Sequence, residues 1–191
     1  FIVYKGGTAK SLLYRNKENS MTGIEFYSNG HIISEVDSMR QKLGALAKQY
    51  SATSAIIVTD AGITALGYVD IAQQSLQQSG IKVVIFDKVV ADPPISVVNA
   101  AIELAREQQC DLVIGLGGGS SIDTAKIVAL YPNEFDSIND ILDADFSTFK
   151  KLPLFAIPTT AGTGAESTFV SVITAEDGSK KAIYPPKILP D

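Results

Sequence analysis

Hydrophobic positions along the chain fall into two alternating kinds of segment. Ala55-Ile56-Ile57-Val58, Ile81-Lys82-Val83-Val84-Ile85-Phe86 and Asp111-Leu112-Val113-Ile114 are short apolar runs rich in β-branched residues, the pattern of strands buried in a parallel sheet. Between and before them, apolar residues recur at helical spacing: Ile32, Val36, Met39, Leu43, Leu46 and Tyr50; then Leu66, Val69, Ala72 and Leu76; then Ile95, Val98, Ile102 and Ala105. Each set predicts a helix with one buried face. Gly80 stands where a helix C-terminus wants a left-handed residue, and Asp92-Pro93-Pro94 predicts a turn before the third helix. Strands alternating with helices imply crossover connections, hence an α/β fold with a doubly wound, mostly parallel sheet.

Two regions break this rhythm. Residues 1–22 read as an irregular arm leading to a strand at Ile24-Glu25-Phe26-Tyr27, an expected edge hairpin, so residues 23–191 are expected to form one domain. After Tyr131 the sequence is acidic and irregular through Asp145, and the sheet resumes at Leu152-Pro153-Leu154-Phe155-Ala156-Ile157, with Pro153 acceptable near a strand start. No period of about 20–50 residues repeats, which sets aside solenoids and propellers.

Composition narrows the class further. The 191 residues are 46% hydrophobic and 19% charged, within the range of folded globular proteins and unlike disordered chains. Net charge is −5, and Lys150-Lys151 and Lys180-Lys181 are the densest basic clusters, so nucleic acid is not an expected partner. The longest uncharged stretch, Leu152 to Ala165, has 14 residues and two prolines, short of the roughly 20 apolar residues a membrane span needs. No membrane partner is expected, and the location expected is cytoplasmic. Phe1 is not an initiator methionine, so neither end is assumed to be a natural terminus.

The segment with most chemical content is Ile114-Gly115-Leu116-Gly117-Gly118-Gly119-Ser120-Ser121-Ile122-Asp123-Thr124-Ala125-Lys126, which joins a predicted strand to a predicted helix. Four glycines in five residues let the backbone approach a ligand, and a helix N-terminus offers unpaired N–H groups and the positive end of the dipole. The segment reads either as a phosphate loop or as a turn with Ser120 as N-cap and Asp123 closing a capping box. Ser120 breaks G-x-G-x-x-G, and the Walker pattern is absent. A second loop, Pro158-Thr159-Thr160-Ala161-Gly162-Thr163-Gly164-Ala165-Glu166-Ser167-Thr168, follows the later strand and carries hydroxyls suited to phosphate or ribose oxygens. On equivalent strand ends the two loops would face one cleft.

Asp60 ends the first predicted strand. There a carboxylate either accepts the hydroxyls of an adenosine ribose, favouring NAD over NADP by repelling a 2′-phosphate, or simply opens the next helix. His31 has no neighbouring Cys or carboxylate partners and reads as structural rather than metal-binding, and Cys110 reads as a small buried hydrophobe.

Gly117-Gly118-Gly119-Ser120-x-x-Asp123-x-Ala125-Lys126, followed by Ile157-Pro158-Thr159-Thr160-Ala161-Gly162-Thr163-Gly164-x-Glu166, resembles the iron-containing (group III) alcohol dehydrogenase family over about residues 24–191. The resemblance implies a Rossmann-like N-terminal half that binds NAD, and a helical C-terminal domain that holds a divalent metal, iron or zinc. It also implies roles: Asp60 on the adenosine ribose, Gly118, Gly119 and Ser120 on the pyrophosphate, and Thr159, Thr160, Thr163, Thr168 and Val170 along the adenine and ribose. Asp123 is implied near the nicotinamide and Lys181 toward its side. Asp92 stands where the family commonly has an Asn that touches cofactor. The family's metal ligands, an Asp and three His, would lie beyond Asp191, so no metal ligand and no catalytic residue is expected in this chain. Small alcohols or aldehydes are the implied substrates, and a homodimer built on the edge strand is the implied assembly. Glycerol dehydrogenase or dehydroquinate-synthase-like members of the same superfamily, and a non-catalytic NAD-binding module, are the alternatives.

Overall fold

The computed structural model describes residues 27–132 and 149–191. Its centre is a sheet of four parallel strands, β1 (Ser54–Val58), β2 (Lys82–Phe86), β3 (Leu112–Gly117) and β4 (Leu154–Pro158), in the order β2-β1-β3-β4. Register is continuous across it: Ile56 pairs with Val84 on one side and Val113 on the other, and Ile114 pairs with Phe155.

Because side chains alternate across a strand, the two faces hold different residues. Ile56, Val58 and Val113 pack with Val98, Ile102 and Ile127 from helices α4 (Ile95–Glu107) and α5 (Gly119–Val128). Ile57, Leu112 and Ile114 pack with Leu43, Ala47 and Leu76 from α1 (Ser38–Gln49) and α3 (Tyr68–Gln78). The sheet is therefore covered on both faces, as a doubly wound α/β fold requires. A short helix, α2 (Ala61–Ala65), links β1 to α3.

Strand order fixes where a ligand can sit. The chain leaves β1 outward to β2, then returns through α4 to place β3 on the other side of β1 and continues outward to β4. The winding reverses between β1 and β3, and the crevice beyond their carboxyl ends is the binding position in open α/β sheets.

Several boundaries differ from the expectation. The first helix starts at Ser38, because Asp37 takes a left-handed conformation with φ 59°, and Ile32 and Val36 stand 66% and 90% exposed ahead of it. The second splits at Gly67 (φ 78°), leaving Leu66 69% exposed. β2 is an edge strand, so its Lys82 is exposed and Val83–Ile85 only half-buried, whereas β1 and β3 are buried throughout. An antiparallel pair, β5 (Ser171–Thr174) and β6 (Lys180–Ile183), was not read from the sequence. The expected arm and the strand at Ile24 to Phe26 lie outside the described residues; Tyr27 is not in a strand, and its ring meets Phe169 edge to face at 5.8 Å.

Candidate dinucleotide site

The glycine loop turns β3 into α5 with no side-chain cap. Gly118 is the N-cap, the helix begins at Gly119, and its first internal bond runs from the Ile122 N–H to the Gly118 carbonyl at 3.1 Å. The N–H groups of Gly118, Gly119, Ser120 and Ser121 are thus those that a helix start leaves for outside acceptors. This corrects the capping-box alternative: Ser120 lies inside the first turn, and the Asp123 carboxylate faces elsewhere. An uncapped helix end at the sheet's switch point is the geometry that suits an anion.

Close approach is built into the loop. A side chain on Gly118 would lie 3.5 Å from Thr160, and one on Gly119 3.3 Å from Thr163, so the two loops read from the sequence do face each other. The Thr159 N–H donates to the Gly117 carbonyl at 2.9 Å and holds them together. Between them opens a cleft of about 540 Å³, lined by residues 60–63, 89–91 and 118–121 with Thr159 and Thr160. A separate cavity of about 350 Å³ between α1 and β4 includes His31, Met39 and Phe155 and none of the predicted residues.

Asp60 stands at the cleft's other wall. Its Oδ1 accepts the Ile63 N–H at 3.0 Å, capping α2, while its Oδ2 faces the Ser121 hydroxyl at 3.5 Å beside the glycine loop. The helix-entry role and a place at the cleft therefore coexist, one oxygen for each.

A second group gathers on the side of α5. Asp123 is 14% exposed; its Oδ2 accepts the Val172 N–H at 2.9 Å and its Oδ1 faces the ammonium of Lys126 at 3.3 Å. Lys126 is fully buried, and its Nζ also donates to the Thr168 hydroxyl at 3.4 Å and the Val170 carbonyl at 2.5 Å. Burial pushes the Asp123 carboxyl above its ordinary range, the Val172 N–H and Lys126 pulling the other way. Burial likewise lowers Lys126, against the opposing pull of Asp123 and then Glu166. Thr168 and Val170 are brought together here, away from the glycine loop's own cleft.

Asp92 and Lys181 are not among the residues lining that cleft. Asp92 (φ 51°) accepts from the Lys180 ammonium at 2.7 Å and, through its carbonyl, from the Thr174 hydroxyl at 3.0 Å, tying the turn before α4 to the β5–β6 hairpin. Lys181 lies on β6, opposite Ile173. Cys110 is buried as expected, with burial pushing its thiol up.

Residues 29–191 match the family model for iron-containing alcohol dehydrogenase. This chain belongs to that family. It is 35% identical over 178 residues to Alcohol dehydrogenase 4 of Saccharomyces cerevisiae (strain YJM789), covering 90% of this chain and 44% of that protein. Among solved structures, NADH-dependent butanol dehydrogenase A from Thermotoga maritima superimposes with TM-score 0.79 at 28% identity, over 86% of this chain and 42% of that one. Sulfoacetaldehyde reductase from Bifidobacterium kashiwanohense, solved in complex with NAD+, gives TM-score 0.71 at 31% identity over 83% of this chain and 42% of that one. This iron-containing alcohol dehydrogenase family member thus spans less than half the length of these relatives.

Among the described residues of this family member, no three His, Cys, Asp or Glu side chains come together as a group able to hold a metal ion. No helix among them is long and apolar enough to cross a membrane. Lys126, in the group on the side of α5, is a residue to which the sequence pattern assigns no role. Its signal was the i, i+3 spacing to Asp123 just after the glycine loop, a spacing that normally marks an exposed surface pair.

Proposed function

We propose that this chain is the cofactor-binding half of an NAD-dependent, metal-dependent alcohol dehydrogenase that interconverts small alcohols and aldehydes. The observation that carries it is the cleft at the switch point, where an uncapped, glycine-rich helix start faces a threonine loop and Asp60 stands beside both. The family match, together with an NADH-dependent relative and a relative solved in complex with NAD+, supports the same cofactor.

In this reading the N–H groups of residues 118–121 bind the pyrophosphate, Thr159, Thr160 and Thr163 donate hydroxyls to the adenosine half, and Asp60 Oδ2 accepts from its ribose. Asp92, Asp123 and Lys181 serve the nicotinamide half or its supports; Thr168 and Val170, expected along the adenine and ribose, are reassigned to that half because they gather at Lys126 and do not line the cleft. Bound NAD would supply the hydride acceptor; the chain's own residues orient it and keep its phosphates out of water. The divalent metal, iron or zinc, is assigned to residues outside this chain. A homodimer built on residues 24–27 and a cytoplasmic location complete the proposal.

Cofactor choice tests the assignment of Asp60. A carboxylate within reach of the ribose 2′ oxygen meets a 2′-phosphate with like charge, so the chain is expected to bind NADH about tenfold or more tighter than NADPH, roughly 1.4 kcal/mol. Asp60→Gly is expected to remove most of that preference in titrations followed by nicotinamide fluorescence. Tighter binding of NADPH by the unsubstituted chain would show the assignment to be wrong. Alcohol oxidation by this chain with no other polypeptide present would contradict the assignment of the metal elsewhere.

A further inference from the structure

Lys126 has no exposed surface, yet it sits on a helix whose other buried side chains, Ile122, Ala125, Ile127 and Val128 among them, are mostly apolar. A buried ion pair is a poor way to gain stability, since apolar residues of the same volume commonly hold a core as well or better. What the ammonium offers instead is three N–H donors on one atom, and each has an acceptor: Asp123 Oδ1, Thr168 Oγ1 and the Val170 carbonyl. Asp123 completes the join, its Oδ2 taking the Val172 N–H and its backbone carbonyl taking the Ser171 hydroxyl at 2.9 Å. Four bonds therefore tie residues 168–172 to one side of α5, through Lys126 and Asp123.

Which side is fixed by helix geometry. At about 100° per residue, Asp123 and Lys126 stand roughly 200° and 140° around the axis from Ser121. Ser121 is the residue that faces Asp60, so residues 168–172 flank α5 on the side opposite Asp60. A dinucleotide with its pyrophosphate on the start of α5 and one ribose on Asp60 must send its other nucleoside to that opposite side.

We propose that Lys126, with Asp123, is a positioning residue that latches residues 168–172 to α5 and so sets the wall against which the second nucleoside of the dinucleotide, the nicotinamide riboside, is placed. The inference rests on the dinucleotide reading above. It assigns the latch to orientation of one half of the cofactor, the phosphate loop being formed by residues the latch does not touch.

ADP, which keeps the adenosine and the pyrophosphate but lacks the nicotinamide riboside, separates the halves. In titrations of this chain, Lys126→Met is expected to weaken NADH binding about tenfold, the order of a lost charged hydrogen bond, while ADP binding stays within about twofold of the unsubstituted chain. Lys126→Arg, which keeps the charge, is expected to restore part of the NADH affinity. Thermal melting checks that each variant is folded. If Lys126→Met does not fold because it strands the Asp123 carboxylate, the pair Asp123→Asn with Lys126→Met removes both charges and carries the same comparison. Equal losses for both ligands, or no loss for either, would overturn the latch as a positioning device. An unsubstituted chain that binds neither ligand would overturn the dinucleotide reading first, and the latch with it.

Discussion

Gly117→Val is expected to abolish measurable NADH binding and to lower the unfolding free energy by about 3–5 kcal/mol, combining backbone strain with overpacking. Gly117 closes β3 at φ 150°, a conformation that residues with a Cβ rarely adopt. A Cβ there would stand 2.6 Å from the Ser121 hydroxyl oxygen, 2.9 Å from the Ser121 Cβ and 3.4 Å from Asp60 Oδ2. Relief requires moving the first turn of α5 away from the strand, which withdraws the N–H groups assigned to the pyrophosphate, or pushing Ser121 and Asp60 into the cleft. Either movement damages both walls at once. Gly117→Ala should show the same loss in milder form, in urea unfolding and in NADH titration. A valine variant with unchanged affinity would mean that the ligand does not use this helix start.

The second large effect is expected far from any ligand. Gly44 lies in α1 where it crosses α3, and its N–H donates to the Ser75 hydroxyl at 3.1 Å. A Cβ at Gly44 would come to 2.2 Å from the Ser75 carbonyl oxygen and 2.3 Å from Ser79 Oγ. The carbonyl belongs to helix backbone and cannot swing aside, so Gly44→Leu must force α1 and α3 apart and open the core around Leu43, Ala47 and Leu76. A loss of about 3 kcal/mol or more is expected by denaturant titration. The folded fraction should keep its NADH affinity, since α5 packs on the opposite face of the sheet with Val98 and Ile102, and the threonine loop lies against the glycine loop. Stability lost with affinity retained at Gly44, against both lost at Gly117, separates the scaffold from the site.

What could be read from the sequence follows from how local each determinant is. Ala55–Val58 and Leu112–Ile114 are apolar without interruption because both faces of β1 and β3 are covered, and that pattern is visible in one dimension. The glycine loop was legible for the same reason: strand, glycines and helix are contiguous. Helix limits were not, since the breaks at Asp37 and Gly67 lie in the backbone conformation and leave the spacing of apolar residues undisturbed. The β5–β6 hairpin carries a local signal, Asp177-Gly178 between short alternating runs, with the Asp177 carboxylate accepting the Ser179 N–H at 2.8 Å. Lys126 carried none that would separate it from a surface lysine, because its burial depends on residues 168–172, some 40 positions later in the chain.

NADH is expected in the one cleft beyond β1 and β3, and amide chemical shifts of the ¹⁵N-labelled chain titrated with NADH report on it directly. The expected result is a saturable shift of the Gly118, Gly119, Ser120 and Ser121 signals, followed by Asp60 and Thr160, with Met39 and Leu43 at the other cavity unchanged. Shifts confined to the cavity between α1 and β4, or no shift at the glycine loop at any NADH concentration reached, would contradict it.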